Sequence, residues 1–136
     1  MMGERFQQRG ERLDRVVSSP AKRARTTAEL FTAVAGMHPG DIVIESDLYF
    51  LGSTSIETVI HAQPAEAQSL MLVFHNPDIT HFANSIAYEF HVDNVPTCGL
   101  ISLECAIDDW SAWSRDTTAF DYYDFPKNDS GAVLRA

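Results

Sequence analysis

The chain has 136 residues, 45% of them hydrophobic and 21% charged, which is enough apolar matter to give residues 1–136 the core of a single globular domain. Its longest apolar runs fall far short of the ~20 residues of a membrane span, and its polar start lacks the apolar segment of a secretory signal, so the sequence predicts a cytoplasmic protein with no membrane partner. The net charge of −9 is unevenly spread, with seven of the ten Lys and Arg and a net +4 in residues 1–25 and a net −13 in the rest; no broad basic face is available for nucleic acid.

Helix and strand signals alternate along the chain with no repeat and no low-complexity segment, which predicts an α/β fold. Met2 and Phe6, followed by Arg9-Gly10, read as the last turns of a helix with a glycine C-cap. Leu13 to Ser18 (LDRVVS) reads as a strand, and Ser19 with Pro20 supplies an N-cap and a first-turn proline for a helix running to about Gly36. Asp41 to Glu45 (DIVIE) is the next strand. Thr54 and Glu57 have capping-box spacing, and Ile56, Val59 and Ile60 give the helix behind them one apolar face.

Ser69 to Phe74 (SLMLVF) is almost wholly apolar, as a strand covered on both faces of a sheet should be. A helix from about Pro77 to Phe90 should turn Ile79, Phe82, Ala83 and Ile86 inward, and Thr97 to Cys105 and Ala119 to Phe125 read as two final strands before a polar tail of ten residues. The first helix has no N-cap, is too short to stand alone in water, and in a βαβ series would follow a strand. The chain therefore reads as lacking its first strand.

The stretch SSPAKRARTTA places Lys22, Arg23 and Arg25 at a helix start, where the dipole and the unpaired N–H groups call for acids. Cations there make sense if an anion is bound, and arginine suits a phosphate because its planar fork grips two oxygens at once. A solvated basic face is an equal alternative, and is the reading for Lys22 and Arg25. A second strand-to-helix junction, Val73-Phe74-His75-Asn76-Pro77, ends an apolar strand in His75, with Asn76 as a cap and Pro77 at the first helical position. Ligands of open α/β sheets sit at the carboxyl ends of strands, so Arg23 and His75 are expected to face a common phosphate pocket, with Ser19 and Asn76 as further phosphate-binding residues.

The remaining candidates take structural roles. Cys98 and Cys105 share one apolar run without neighbours at metal-ligand spacing and read as free thiols. No metal site and no cofactor is expected. His38, His61, His81 and His91 lack an acidic orienting partner and read as surface or packing residues, and Trp110 and Trp113 as core packing.

The blocks SSPAKRARTTAELF and MLVFHNPDI resemble, in order and separation, the second and third signature blocks of the histidine phosphatase (phosphoglycerate mutase-like) superfamily, and are most similar to its short SixA-type phosphohistidine phosphatases. ESDLYFLGST, NVPTCGLISLE and FDYYDFPK extend the resemblance over nearly the whole chain. It implies a three-layer α/β/α sandwich around a mostly parallel sheet, here without its first strand. It also implies hydrolysis of phosphate from a phosphohistidine protein or a small phosphoester through a phosphohistidine intermediate, with no cofactor. Carried over by position, Arg23 is the arginine that neutralises the phosphoryl group and His75 the second histidine, which donates a hydrogen bond to its oxygens.

The sequence departs from that family at definite places. No Arg-His-Gly occurs, so the nucleophile has no matching position and the 136 residues as written are expected to be inactive. Phe74 stands where glycine is usual and is expected to narrow the pocket wall. Glu45 and Asp47 lie nearest the place of a mutase proton donor but in no matching motif, which favours the SixA-type reading. The alternatives are a non-catalytic relative that binds phosphate or a phosphoprotein through Arg23 and His75, and an α/β interaction module with an acidic surface.

Overall fold

The computed structural model describes residues 13–49, 52–86, 95, 99–124 and 134–135. The helix expected over Met2–Gly10, and His91 and Cys98, lie outside the described residues. Strands β1 (Arg15–Ser18), β2 (Val43–Ile44) and β3 (Leu70–Val73) form a parallel sheet in the order β2-β1-β3. Helices α1 (Lys22–Val34), α2 (Ser53–His61) and α3 (Asp78–Asn84) alternate with them. A second, antiparallel sheet contains β4 (Leu100–Cys105), β5 (Thr118–Asp124) and β6 (Leu134–Arg135), in that order.

The layering follows from two adjacent valines. Successive residues of a strand point to opposite faces, and Val16 and Val17 are both 0% exposed. Val16 packs with Ala24 and Ala28 of α1, whereas Val17 packs with Ile56, Val59 and Ile60 of α2 and with Phe82 and Trp113. Helices therefore cover both faces of the parallel sheet, giving the expected α/β/α layers. The helical layers also reach the second sheet: Phe31 of α1 packs with Met71 of β3 and Leu100 of β4, and Leu72 of β3 and Leu103 of β4 share the α2-side core.

Several boundaries differ from the sequence reading. Helix α1 begins at Lys22 with Ala21 in the N-cap position, not at Ser19, because the Ser19 hydroxyl accepts the Ala21 N–H at 3.2 Å within a turn that precedes the helix. Strand β2 is shortened by a 3-10 turn at Pro39–Asp41. Helix α2 is capped by no Thr54 hydroxyl: Gly52, at φ +85, takes the N-cap position, and Glu57 pairs with Arg115. Helix α3 has Pro77, after a cis peptide, in the N-cap position and stops at Asn84, so Ile86 is buried beyond its end. The tail is not merely polar: Leu134 and Arg135 pair with Tyr123 and Tyr122 on the outer edge of β5.

Trp113 is 4% exposed in the main core, and the Trp110 indole donates to the Ala67 carbonyl at 2.7 Å. Both tryptophans pack, as expected. His61 meets the Trp113 carbonyl at 2.9 Å, and the His38 ring accepts the Gly40 N–H at 2.8 Å. Cys105 is a free thiol.

Candidate functional site

The parallel register sets Ser18 beside Val73, so β1 and β3 end side by side. Immediately beyond, the Ser19 N–H donates to the Val73 carbonyl at 2.8 Å and joins the two strand-to-helix junctions. Ser18 and Ser19 are fully buried, and the Ser18 hydroxyl donates to the Ser19 carbonyl at 2.8 Å. This fixes the chain that turns into α1. The first turn of α1 contains no acid and no side-chain cap, so nothing on that turn itself offsets the positive end of the helix. Arg23 lies on that turn and is exposed.

His75 lies two residues past the end of β3, with both ring nitrogens shielded from solvent. Its pKa is lowered from 6.5, first by burial and then by the Arg23 cation, while the Asp78 carboxylate pulls the other way. The Arg23 cation of one junction thereby disfavours the protonated imidazole of the other. Burial and a nearby cation both penalise the protonated ring, so the resting imidazole is neutral at pH 7. An anion placed beside Arg23 and His75 would reverse the balance and favour protonation, turning His75 into a hydrogen-bond donor.

Two further residues shape this corner, and neither was assigned a role from the sequence. The Tyr49 ring stands edge-on to His75 with centroids 5.7 Å apart, and Tyr49 is 48% exposed. Asp78 accepts the Gly52 N–H at 3.2 Å, tying the start of α2 to that of α3. Tyr49 lay within the ESDLYFLGST block, but only the fold brings it to the imidazole. For Asp78, an acid in a first helical turn was the available signal.

Asn76 is committed within the protein. Its amide donates to the Val95 carbonyl at 2.7 Å, its side-chain oxygen accepts from Thr80, and the Thr80 oxygen accepts the Val95 N–H at 3.0 Å. The network holds the corner that carries His75. Phe74 does not narrow the pocket wall as expected: it packs into the main core, 6.5 Å from the Phe82 ring in a T-shaped arrangement. The Glu45 N–H donates to the Ser18 carbonyl at 2.9 Å, extending the β1–β2 pairing. Among the described residues, no group of three or more His, Cys, Asp and Glu side chains could hold a metal ion, and no helix is long and apolar enough to cross a membrane.

No family model and no curated protein matches the sequence. Solved structures do. The chain is similar to a protein assigned as the phosphohistidine phosphatase SixA of Agrobacterium tumefaciens, with 26% identity and a TM-score of 0.72 over 92% of this chain and 78% of that one. It is similar in fold to the protein histidine phosphatase SixA complexed with tungstate, at 17% identity and a TM-score of 0.71 over 90% and 74%. A SixA assignment from Nakamurella multipartitia gives 19% identity and a TM-score of 0.67 over 92% and 77%. The fold and the two junction blocks together relate the chain to the histidine phosphatase superfamily.

Proposed function

We propose that this relative of the histidine phosphatases binds the phosphoryl group of a phosphorylated protein, with phosphohistidine as the preferred form and a small phosphoester as the alternative, in the cytoplasm. The observation that carries the reading is the Ser19 N–H to Val73 carbonyl bond of 2.8 Å, which joins the junction bearing Arg23 to the one bearing a shielded His75. In this reading Arg23 neutralises the phosphoryl oxygens through two parallel hydrogen bonds. His75 takes up a proton as the anion binds and, keeping it, donates an N–H hydrogen bond to an oxygen. Ser19 shapes the turn beneath the group, and Asn76 keeps the His75 corner in register.

Hydrolysis in a SixA-type enzyme would pass the phosphoryl from its carrier to an imidazole nitrogen, after which water attacks phosphorus, releasing inorganic phosphate and freeing the imidazole. Such a step needs a nucleophile in line with the leaving group. No Arg-His-Gly stands in these 136 residues, and His75, as donor to the oxygens, is not that nucleophile. The chain alone is therefore a phosphoryl binder. The test is calorimetry with tungstate alongside a single-turnover assay on a phosphohistidine peptide. Saturable tungstate binding without phosphate release supports the proposal, whereas release abolished by His75→Ala would make His75 the nucleophile and refute it.

A further inference from the structure

Leu48 and Tyr49 are neighbours in sequence with opposite surroundings. Leu48 is 1% exposed in the main core, whereas Tyr49 keeps nearly half of its surface in solvent while its ring meets His75 at 73° with centroids 5.7 Å apart. An exposed large side chain by itself calls for no explanation; this one touches the imidazole placed at the phosphoryl group. The segment that carries it is held on both sides. The Tyr49 N–H donates to the Ser46 carbonyl at 3.0 Å, closing the 3-10 turn Ser46–Leu48, and the Gly52 N–H donates to Asp78, on the first turn of α3, at 3.2 Å. We infer that Tyr49 is a specificity residue that recognises the group bearing the phosphoryl, selecting a flat aromatic ring over an alkyl chain. The inference rests on the phosphoryl reading of Arg23 and His75 and adds to it the residue that discriminates between carriers.

Connectivity at phosphorus places the carrier. A phosphoryl group held by Arg23 and His75 turns its free oxygens to those side chains, so the bond to the carrier points away from them and out of the corner. The Tyr49 ring borders that path, because one part of it touches His75 and the rest is exposed. Aromatic rings attract one another in offset-stacked or edge-to-face arrangements with centroids about 4.5–7 Å apart, since the negative face of one meets the positive edge of the other. The Tyr49–His75 spacing of 5.7 Å lies within that range, and a carrier ring extends the same pairing, which an alkyl chain cannot do. Tyrosine suits the task because its ring has only two side-chain torsions to fix and the turn beneath it is already set. The pairing uses the ring and not the hydroxyl, so phenylalanine should serve in its place and leucine, which has no π face, should not. The ligand chemistry is thus a phosphoryl borne by a flat ring, as in phosphohistidine or phosphotyrosine, and not by the methylene of phosphoserine.

The test uses the 136-residue protein and fluorescein-labelled peptides of one sequence, whose central residue is phosphoserine, phosphotyrosine or phosphoryltriazolylalanine, a hydrolysis-resistant mimic of phosphohistidine. In the wild type a ring-borne phosphoryl should bind about threefold to tenfold more tightly than phosphoserine, the range expected of one aromatic pair, and the tighter of the two ring peptides identifies the carrier. Tyr49→Phe should keep that ratio, and Tyr49→Leu should bring it close to one. The ratio compares peptides on the same protein, so a general loosening of the corner cancels from it. Equal affinity for the ring and serine peptides in the wild type, or a ratio that survives in Tyr49→Leu, overturns the inference. A ratio lost in Tyr49→Phe also overturns it, by assigning recognition to the hydroxyl. Tungstate calorimetry on the wild type separates the two readings: saturable binding without a ring preference overturns this inference alone, whereas no tungstate binding overturns the phosphoryl reading and this inference with it.

Discussion

The Ser19 N–H and the Val73 carbonyl, 2.8 Å apart, bind the carboxyl ends of β1 and β3 into one corner. That bond extends the β1–β3 register past the strand ends. It sets the first turn of α1, bearing Arg23, next to the segment that carries His75. The two blocks are far apart in sequence but adjacent in the parallel sheet, at the edge where α/β proteins hold anionic ligands.

Arg23→Ala is expected to weaken tungstate binding by about tenfold to a hundredfold, the equivalent of the ~1.5–3 kcal/mol of a hydrogen bond to a charged group. Arg23→Lys should fall between, since it keeps the charge but loses the fork. In the free protein, Arg23→Ala should also raise the His75 pKa by removing a cation that lowers it. Calorimetry and histidine NMR measure the two effects independently.

Asp78 acts on His75 with the opposite sign. Asp78→Asn should therefore lower the His75 pKa further, and it weakens the tie to the Gly52 N–H at the start of α2. NMR titration of the imidazole in the variant checks the direction; an upward movement would contradict the assigned electrostatics.

The lowered pKa of His75 also makes stability depend on pH. The folded value lies below the unfolded value of 6.5, so the unfolded chain takes up the proton first. The contribution is fully present above pH 6.5 and is lost as pH falls through the depressed folded value. Urea midpoints measured from pH 7.5 downward should fall more steeply in the wild type than in His75→Gln.

Trp113 marks the structural counterpart. It is 4% exposed and stacks on Phe82 with ring centroids 5.9 Å apart. Trp113→Ala should cost about 3–5 kcal/mol by leaving a cavity in the main core. Chemical denaturation checks this, with tungstate affinity in the residual folded fraction unchanged.

Local patterning made the α/β order, the three helices and both junctions legible in the sequence, because apolar periodicity and breaker residues are encoded within a few positions. The two helical layers came only from the family resemblance, and Val16 and Val17, buried on opposite faces of β1, bear them out. Features set by competition among distant residues were not legible. Glu57 had capping-box spacing but is taken by Arg115, so Gly52 starts α2. Ser19 fitted an N-cap but instead closes a turn ahead of α1. Asn76 looked available to a ligand until the fold brought Val95 to its amide. Tyr49 reaches His75 through tertiary packing alone, and nothing in the sequence marked how the strands would divide between two sheets.

The central claim is that Arg23 and His75 act together on one phosphoryl group, and NMR of the His75 imidazole during a tungstate titration tests it most directly. The expected result is a His75 resonance that moves with tungstate occupancy and a pKa that rises in the complex, with both changes shifted to higher tungstate concentration in Arg23→Ala. Tungstate binding of equal affinity in wild type and Arg23→Ala, with His75 unmoved, would contradict the account.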